Sequence, residues 1–171
     1  METGARYRVL RMAAVAASLV RSSLALAAPG PVILSETVRD VALGPDPVTI
    51  ALAPHGDFAT ALEAARRGTS VVVLALQNIR GKSTQPLRIN VFLDKPDANR
   101  ATPPADSHFV GFVYLIPTRS EVRGGRAFDL SGLKSFDPKS LRVTLVPIAG
   151  TDAAPRDASI VVGQVDVRRD D

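Results

Sequence analysis

The side chains able to do chemistry are few in this chain. Its two histidines, His55 in "APHGD" and His108 in "DSHF", stand 53 residues apart. Neither belongs to an H-x-x-x-H spacing, which would set two imidazoles on one helix face for a metal. Joined in space by a carboxylate, His55 and His108 would make a zinc or copper ligand set, and an enzyme or metal protein built on them is one reading. The more economical reading makes His55 a loop residue beside Asp57 and a glycine, and His108 a residue that starts a strand. Serine chemistry has no G-x-S-x-G elbow, and adjacent residues such as Ser107 and His108 point to opposite faces of a strand. Asp94 and Asp97 in "LDKPDANR" lack the D-x-D-x-D-G ladder of a calcium loop and read as turn residues beside a proline. "RGGR" (Arg123 to Arg126) has neither the spacing nor the following helix of a phosphate loop, and reads as a solvated loop. The chain has no cysteine, so disulfide frameworks, thiolate nucleophiles and sulfur-ligated zinc are all excluded. The expectation is no catalytic residue, no metal ligand and no cofactor.

The elements that would position any site are mostly short β-like runs separated by turn chemistry. Seven are expected: Thr37 to Leu43, Val48 to Pro54, a run beginning at Val71, Pro86 to Asp94, His108 to Pro117, Leu141 to Ile148, and Ser159 to Val167. Val71 to Leu76 is continuously apolar and β-branched, the mark of a strand covered on both faces at the centre of the fold. "PLRINVFLD" alternates, with Leu87, Ile89, Val91 and Leu93 on one face and Arg88, Asn90 and Phe92 on the other. One helix is expected over Asp57 to Gly68, with Asp57 as cap, Phe58, Leu62 and Ala65 on one face, and Gly68 as the stop. "DLSGL" (Asp129 to Leu133) reads as strand or helical turn, "DPKS" as a turn, and "VRRDD" as a fraying tail. The fold class is therefore mainly β, a single antiparallel β-sandwich of about seven strands with one short helix.

The first 27 residues have the order of a secretory signal. Arg6, Arg8 and Arg11 precede the apolar run Met12 to Val20, and small residues at Ala25 and Ala27 mark a cleavage site, although Arg21 cuts the apolar stretch short. The domain reading is a signal peptide over 1–27, an N-terminal segment with the first strand over 28–46, the sandwich over 47–168, and a tail over 169–171. Formal charge is +4, but residues 1–27 hold four of the 21 Lys and Arg and one acid. The remainder carries 17 basic and 16 acidic residues. Basicity thus belongs mainly to the leader, no basic stripe with interleaved aromatics supports nucleic-acid binding, and no membrane association is expected of the mature form. The expected location is secreted or periplasmic.

"HFVGFVYLIP" gathers Phe109, Phe112 and Tyr114, three of the eight aromatic residues. Phe112 and Tyr114 share a strand face, and glycines inside strand patterns, here Gly111 and Gly163, mark bulges or close backbone approaches. These segments also occur in a familiar order: "LRINVFLDKPDANRATPPADSHFVGFVYLIP", then "FDLSGLKSFDPKSLRVTLVPIAG", then "ASIVVGQVDVR". Over Pro47 to Arg168 this order resembles the C-terminal β-sandwich domain of tyrosinases and polyphenol oxidases, particularly the bacterial tyrosinase-like proteins, with "VTLVP" the most specific piece. The resemblance implies no catalysis by this chain alone, because a tyrosinase binds two coppers through six histidines in a separate four-helix domain. It implies instead a cover for a dicopper pocket, an accessory or shielding module comparable to the caddie proteins of bacterial tyrosinases. The expected partner is a tyrosinase-like dicopper protein, and the candidate partner-facing residues are Phe112, Tyr114 and His108. The alternative is a stand-alone cell-envelope sandwich, structural or ligand-binding, with no copper partner.

Overall fold

The structure, a computed structural model, describes residues 30–133, 137, 139–150 and 153–170. The expected signal peptide over 1–27 lies outside the described residues. The described chain runs β1 (Val32–Ile33), β2 (Val38–Leu43), β3 (Val48–Leu52), α1 (Phe58–Arg66), β4 (Val71–Lys82), β5 (Leu87–Leu93), β6 (Phe109–Leu115), β7 (Glu121–Asp129), β8 (Leu141–Ala149) and β9 (Ser159–Asp170).

All strand pairs are antiparallel and fall into two sheets. One places β9 beside β4 and β4 beside β7, with β1 and β2 both lying along the other edge of β9. The second has the order β3-β8-β5-β6. The chain changes sheet between β2 and β3, β3 and β4, β4 and β5, β6 and β7, β7 and β8, and β8 and β9, so the core is built almost wholly from long-range pairings. Leu74, Leu76, Val162, Val165 and Val167 from the first sheet are buried in one cluster with Leu87, Ile89, Val91, Leu93, Val143 and Leu145 from the second. With about 25 cal/mol gained per Å² of apolar surface removed from water, this interior holds the cysteine-free fold together.

Seven expected strands and the helix are found. β4 is buried on both faces from Val72 to Leu76, as its unbroken apolar run requires. The face of α1 that carries Phe58, Ala61, Leu62 and Ala65 is buried. Its turn closes through Gly68 N–H to Ala65 O and Thr69 N–H to Ala64 O, at 2.9 and 3.0 Å. Asp57 is the N-cap residue, but its side chain makes no capping hydrogen bond. Its backbone lies near the helical region, where the carboxylate is not aimed at the free N–H groups.

Three sequence expectations are corrected. "RGGR" is not a loop: it lies inside β7, with Arg126 opposite Leu76, Gly124 opposite Ile79 and Arg123 opposite Arg80. β4 bulges at Gln77 and Asn78 there, and a Cβ on Gly125 would stand 3.1 Å from Leu76 O, so the glycines let the strand follow the bulge. "VRRDD" does not fray before Asp170, because Arg168 and Arg169 pair with both β1 and β4, and Asp170 pairs with Val71. β1 is an additional strand. Both glycines singled out from the sequence mark close approaches. Gly111 has φ +152 and sits at the β5–β6 register shift, and Gly163 lies under the side chains of Arg80 and Asn78.

The tightest contact between strands is at Gly81, where φ is +156 and a Cβ would stand 2.0 Å from Ser159 O. Neither backbone can move without breaking the β4–β9 ladder. Gly81→Ala is expected to cost about 3 kcal/mol or more, because the clash adds to an unfavourable φ. Urea unfolding should show a lower midpoint at an unchanged slope.

Candidate docking surface

The connection over 94–108 folds back on the outer face of the second sheet. It brings Ala98 against Phe92, Val146 and Ile148 in a small outer core, with Phe109 packed on it. The Phe92 and Phe109 rings meet edge to face at 5.4 Å and 62°. Phe92 therefore sits on the outward face of β5, as the alternation of "LRINVFL" requires, yet is fully buried.

Asp94 and Asp106 hold the two ends of this loop. Asp94 has φ +51, and its carboxylate accepts Arg142 N–H at 3.0 Å and Asp137 N–H at 2.6 Å. Both oxygens are thereby committed to backbone donors of the neighbouring turn. Asp97 is an exposed turn residue whose carboxylate lies 3.6 Å from Lys95 Nζ, in a turn closed by Ala98 N–H to Lys95 O. Asp106 accepts His108 N–H at 2.9 Å and faces Lys95 Nζ at 3.6 Å. The His108 hydrogen bond, opposed by desolvation and aided by the Lys95 charge, holds the Asp106 carboxyl below its ordinary value.

His108 sits in the turn before β6, and its Nδ1 lies 2.8 Å from Leu93 O. A carbonyl only accepts, so Nδ1 carries the proton and fixes the ring to the end of β5. His55 is exposed and precedes α1; its main chain bonds to Leu34 and Phe58. Among the described residues the two histidines join no cluster of three His, Cys, Asp or Glu side chains.

Where the loop ends, the outer face is bare. Phe112, Tyr114 and Ile116 follow one another at two-residue spacing along β6 and its extension, 42, 58 and 69 % exposed. β6 is the edge of its sheet and lies against β7, the edge of the other. Arg126 of β7 closes this seam. Its guanidinium lies 5.8 Å from the Phe112 ring and 5.5 Å from the Phe128 ring, and Nη1 donates to Phe112 O at 3.2 Å. Gly111 is required beneath it, since a Cβ there would stand 2.8 Å from the Phe128 ring. Arg88 lies opposite Tyr114 on β5. Of the three residues expected to face a partner, Phe112 and Tyr114 thus form one apolar strip with a cationic border, whereas His108 is tied into the loop anchor. Ile116 belongs to the strip as well; continuing the two-residue alternation past the strand end would have found it.

The arrangement defines a two-layer antiparallel β-sandwich with an exposed aromatic edge. No protein-family model and no curated protein matches the chain. Solved structures do match its fold. A recombinantly expressed latent aurone synthase, a polyphenol oxidase, superposes with a TM-score of 0.56 at 18 % identity over 76 % of this chain and 25 % of its own. Latent apple tyrosinase gives 0.52 at 16 % identity, over 75 % of this chain and 27 % of its own. Latent aurone synthase from its natural source gives 0.53 at 17 %, over 83 % and 26 %. The chain spans about a quarter of the length of these proteins, and its fold is that of the polyphenol oxidase C-terminal domain, in agreement with the order of its sequence segments.

The lowered Asp106 makes the loop anchor sensitive to acid. Folded Asp106 binds its proton less readily than unfolded Asp106, so its stabilisation is complete above the ordinary carboxylate range and is lost as pH falls through the lower folded value. The amide protection factors of His108 and Phe109 should fall on acidification below about pH 4. In Asp106→Asn this acid-dependent step should disappear.

Proposed function

We propose that this chain is a non-catalytic accessory module that docks on a tyrosinase-like dicopper protein and shields its metal site. The observation that carries the reading is the fold shared with a quarter of each of several latent polyphenol oxidases, combined with an aromatic edge that nothing in the described chain covers. Soluble proteins rarely leave contiguous apolar strips in water unless a partner covers them. Phe112, Tyr114 and Ile116 provide such a strip. Aromatic side chains of this kind supply most of the energy of an interface when they enter a pocket, and Arg126 is stacked so that it holds the strip in place. His108 contributes indirectly, by fixing the loop beside the strip. The module is proposed to act after export, in the secreted or periplasmic space.

Co-expression with a tyrosinase-like dicopper oxidase is the direct test. Co-purification, suppressed phenol oxidation until the module is removed, and altered copper loading are the expected results. Absence of all three would overturn the reading in favour of a stand-alone envelope sandwich. Because their side chains are exposed, Phe112→Ala and Tyr114→Ala should each change stability by no more than about 1 kcal/mol. Each should weaken association by about 1–2 kcal/mol or more, read by titration calorimetry against the purified oxidase.

A further inference from the structure

The hairpin that joins β6 to β7 sets a second kind of group beside the aromatic strip. Thr118 and Glu121 close it, with Thr118 N–H donating to Glu121 O at 2.7 Å and Glu121 N–H donating to Thr118 O at 3.0 Å. The two residues between them, Arg119 and Ser120, have φ +52 and +65. Asparagine and glycine favour such a turn, because most side chains crowd the backbone where φ is positive. The Ser120 carbonyl accepts Ser83 N–H at 3.0 Å, which ties the turn to the end of β4. The Arg119 side chain is exposed and, among the described residues, has no hydrogen bond or ion pair. An arginine held at a costly backbone angle, with no contact of its own, points to use by something outside the chain. Exposure of the strip rises toward this turn, from 42 % at Phe112 to 69 % at Ile116. Ile116, Thr118, Arg119, Glu121 and Arg123 line a hollow of about 620 Å³ at the hairpin end. Its charges are partly offset: Arg123 Nη2 stands 3.7 Å from Glu121 Oε2, so the one carboxylate answers one arginine. Arg119 is the cation left over. Ile116 to Phe128 holds three of the 17 basic residues after position 27 and one of the 16 acidic ones, so the rest of that region has no net positive charge.

We propose that Arg119 is the ionic anchor of the docking surface, pairing through its guanidinium with a carboxylate that the partner protein presents beside the recess for the apolar strip. The proposal rests on the docking reading above and adds the chemistry of the partner's surface, an apolar recess with an acidic rim. A guanidinium meets a carboxylate with two parallel N–H donors, and an adjacent apolar contact such as Ile116 strengthens the pair by excluding water. The closed turn holds the arginine's backbone in place, so less freedom is lost when the pair forms. The positive charge gathered at this end also speeds encounter with an acidic rim.

Surface plasmon resonance of the full chain on a purified tyrosinase-like dicopper oxidase tests this. Arg119→Glu should weaken binding roughly hundredfold, and Arg119→Lys roughly tenfold, because lysine keeps the charge and loses the paired donors. Arg119→Asn separates binding from folding. Asparagine suits a positive φ, so Tm should hold or rise while affinity falls roughly tenfold. Raising salt from about 50 to about 500 mM should slow association of the unaltered chain, and slow that of Arg119→Asn less. Arg39→Gln, which removes an exposed arginine from β2, should leave association unchanged. If Phe112→Ala and Tyr114→Ala weaken binding but Arg119→Glu does not, the proposal is overturned and the docking reading stands. An equal loss in Arg39→Gln would overturn it too, by making the effect one of overall charge. So would a fall in Tm in Arg119→Asn, which would make the arginine a structural group of the turn. Failure of the unaltered chain to bind would overturn the docking reading itself, and this extension with it.

Discussion

The antiparallel pairing of β4 with β9 is the interaction on which the rest of the structure depends. Both strands are twelve residues long, and they pair from Val71 opposite Asp170 to Lys82 opposite Ser159. β9 then serves β1 and β2 on its other side, and β4 serves β7. Removing this pair would leave the first sheet without a centre. The pairing also closes the chain, since it joins a strand near the middle of the sequence to the last one. Ordering so long a loop costs conformational entropy that local contacts cannot repay, and the apolar inner faces of both sheets must do so together.

A single line across that sheet shows how tightly the pairing is constrained. Asp40, Gly163 and Asn78 lie side by side on β2, β9 and β4, and the two non-glycine residues both have φ +53. Arg80 reaches over Gly163 to place Nη2 2.8 Å from Asp40 Oδ1, and a Cβ on Gly163 would stand 2.8 Å from its Nη1. As an exposed ion pair this bridge adds little energy by itself. It stands beside the bulge at Gln77 and Asn78, where the β4–β7 register shifts. The seam of Arg126, Phe112 and Phe128 lies where the two sheet edges β6 and β7 meet.

Period-two alternation made the inward faces legible: Leu87, Ile89, Val91 and Leu93 are buried as "PLRINVFLD" requires. The same pattern was silent on the outward face, because alternation says which way Phe92 points and nothing about what comes to cover it. The proline-rich connection contributes Ala98 to that cover, a residue with no periodic signal. β7 was hidden for a related reason. Its glycines and arginines serve close approach and the seam rather than a buried face, so no hydrophobic period exists to read. Phe112 and Tyr114 were found because they share the face of an apolar strand.

The outer face of the second sheet is thus divided, and the division has a physical logic. Covering Phe92 with the loop gains on the order of 1.5–3 kcal/mol, and a similar gain is forgone at each of the exposed large side chains on β6. The loop over 94–108 is fastened at both ends by carboxylates that accept backbone N–H groups, Asp94 from Arg142 and Asp106 from His108. Those anchors fix how far it can spread, and Pro103 and Pro104 stiffen it between them. A more mobile loop of the same length could collapse onto Phe112 and Tyr114 and bury them within the chain. Holding the loop back keeps the aromatic strip in water, at the expense of stability that the large inner core can supply.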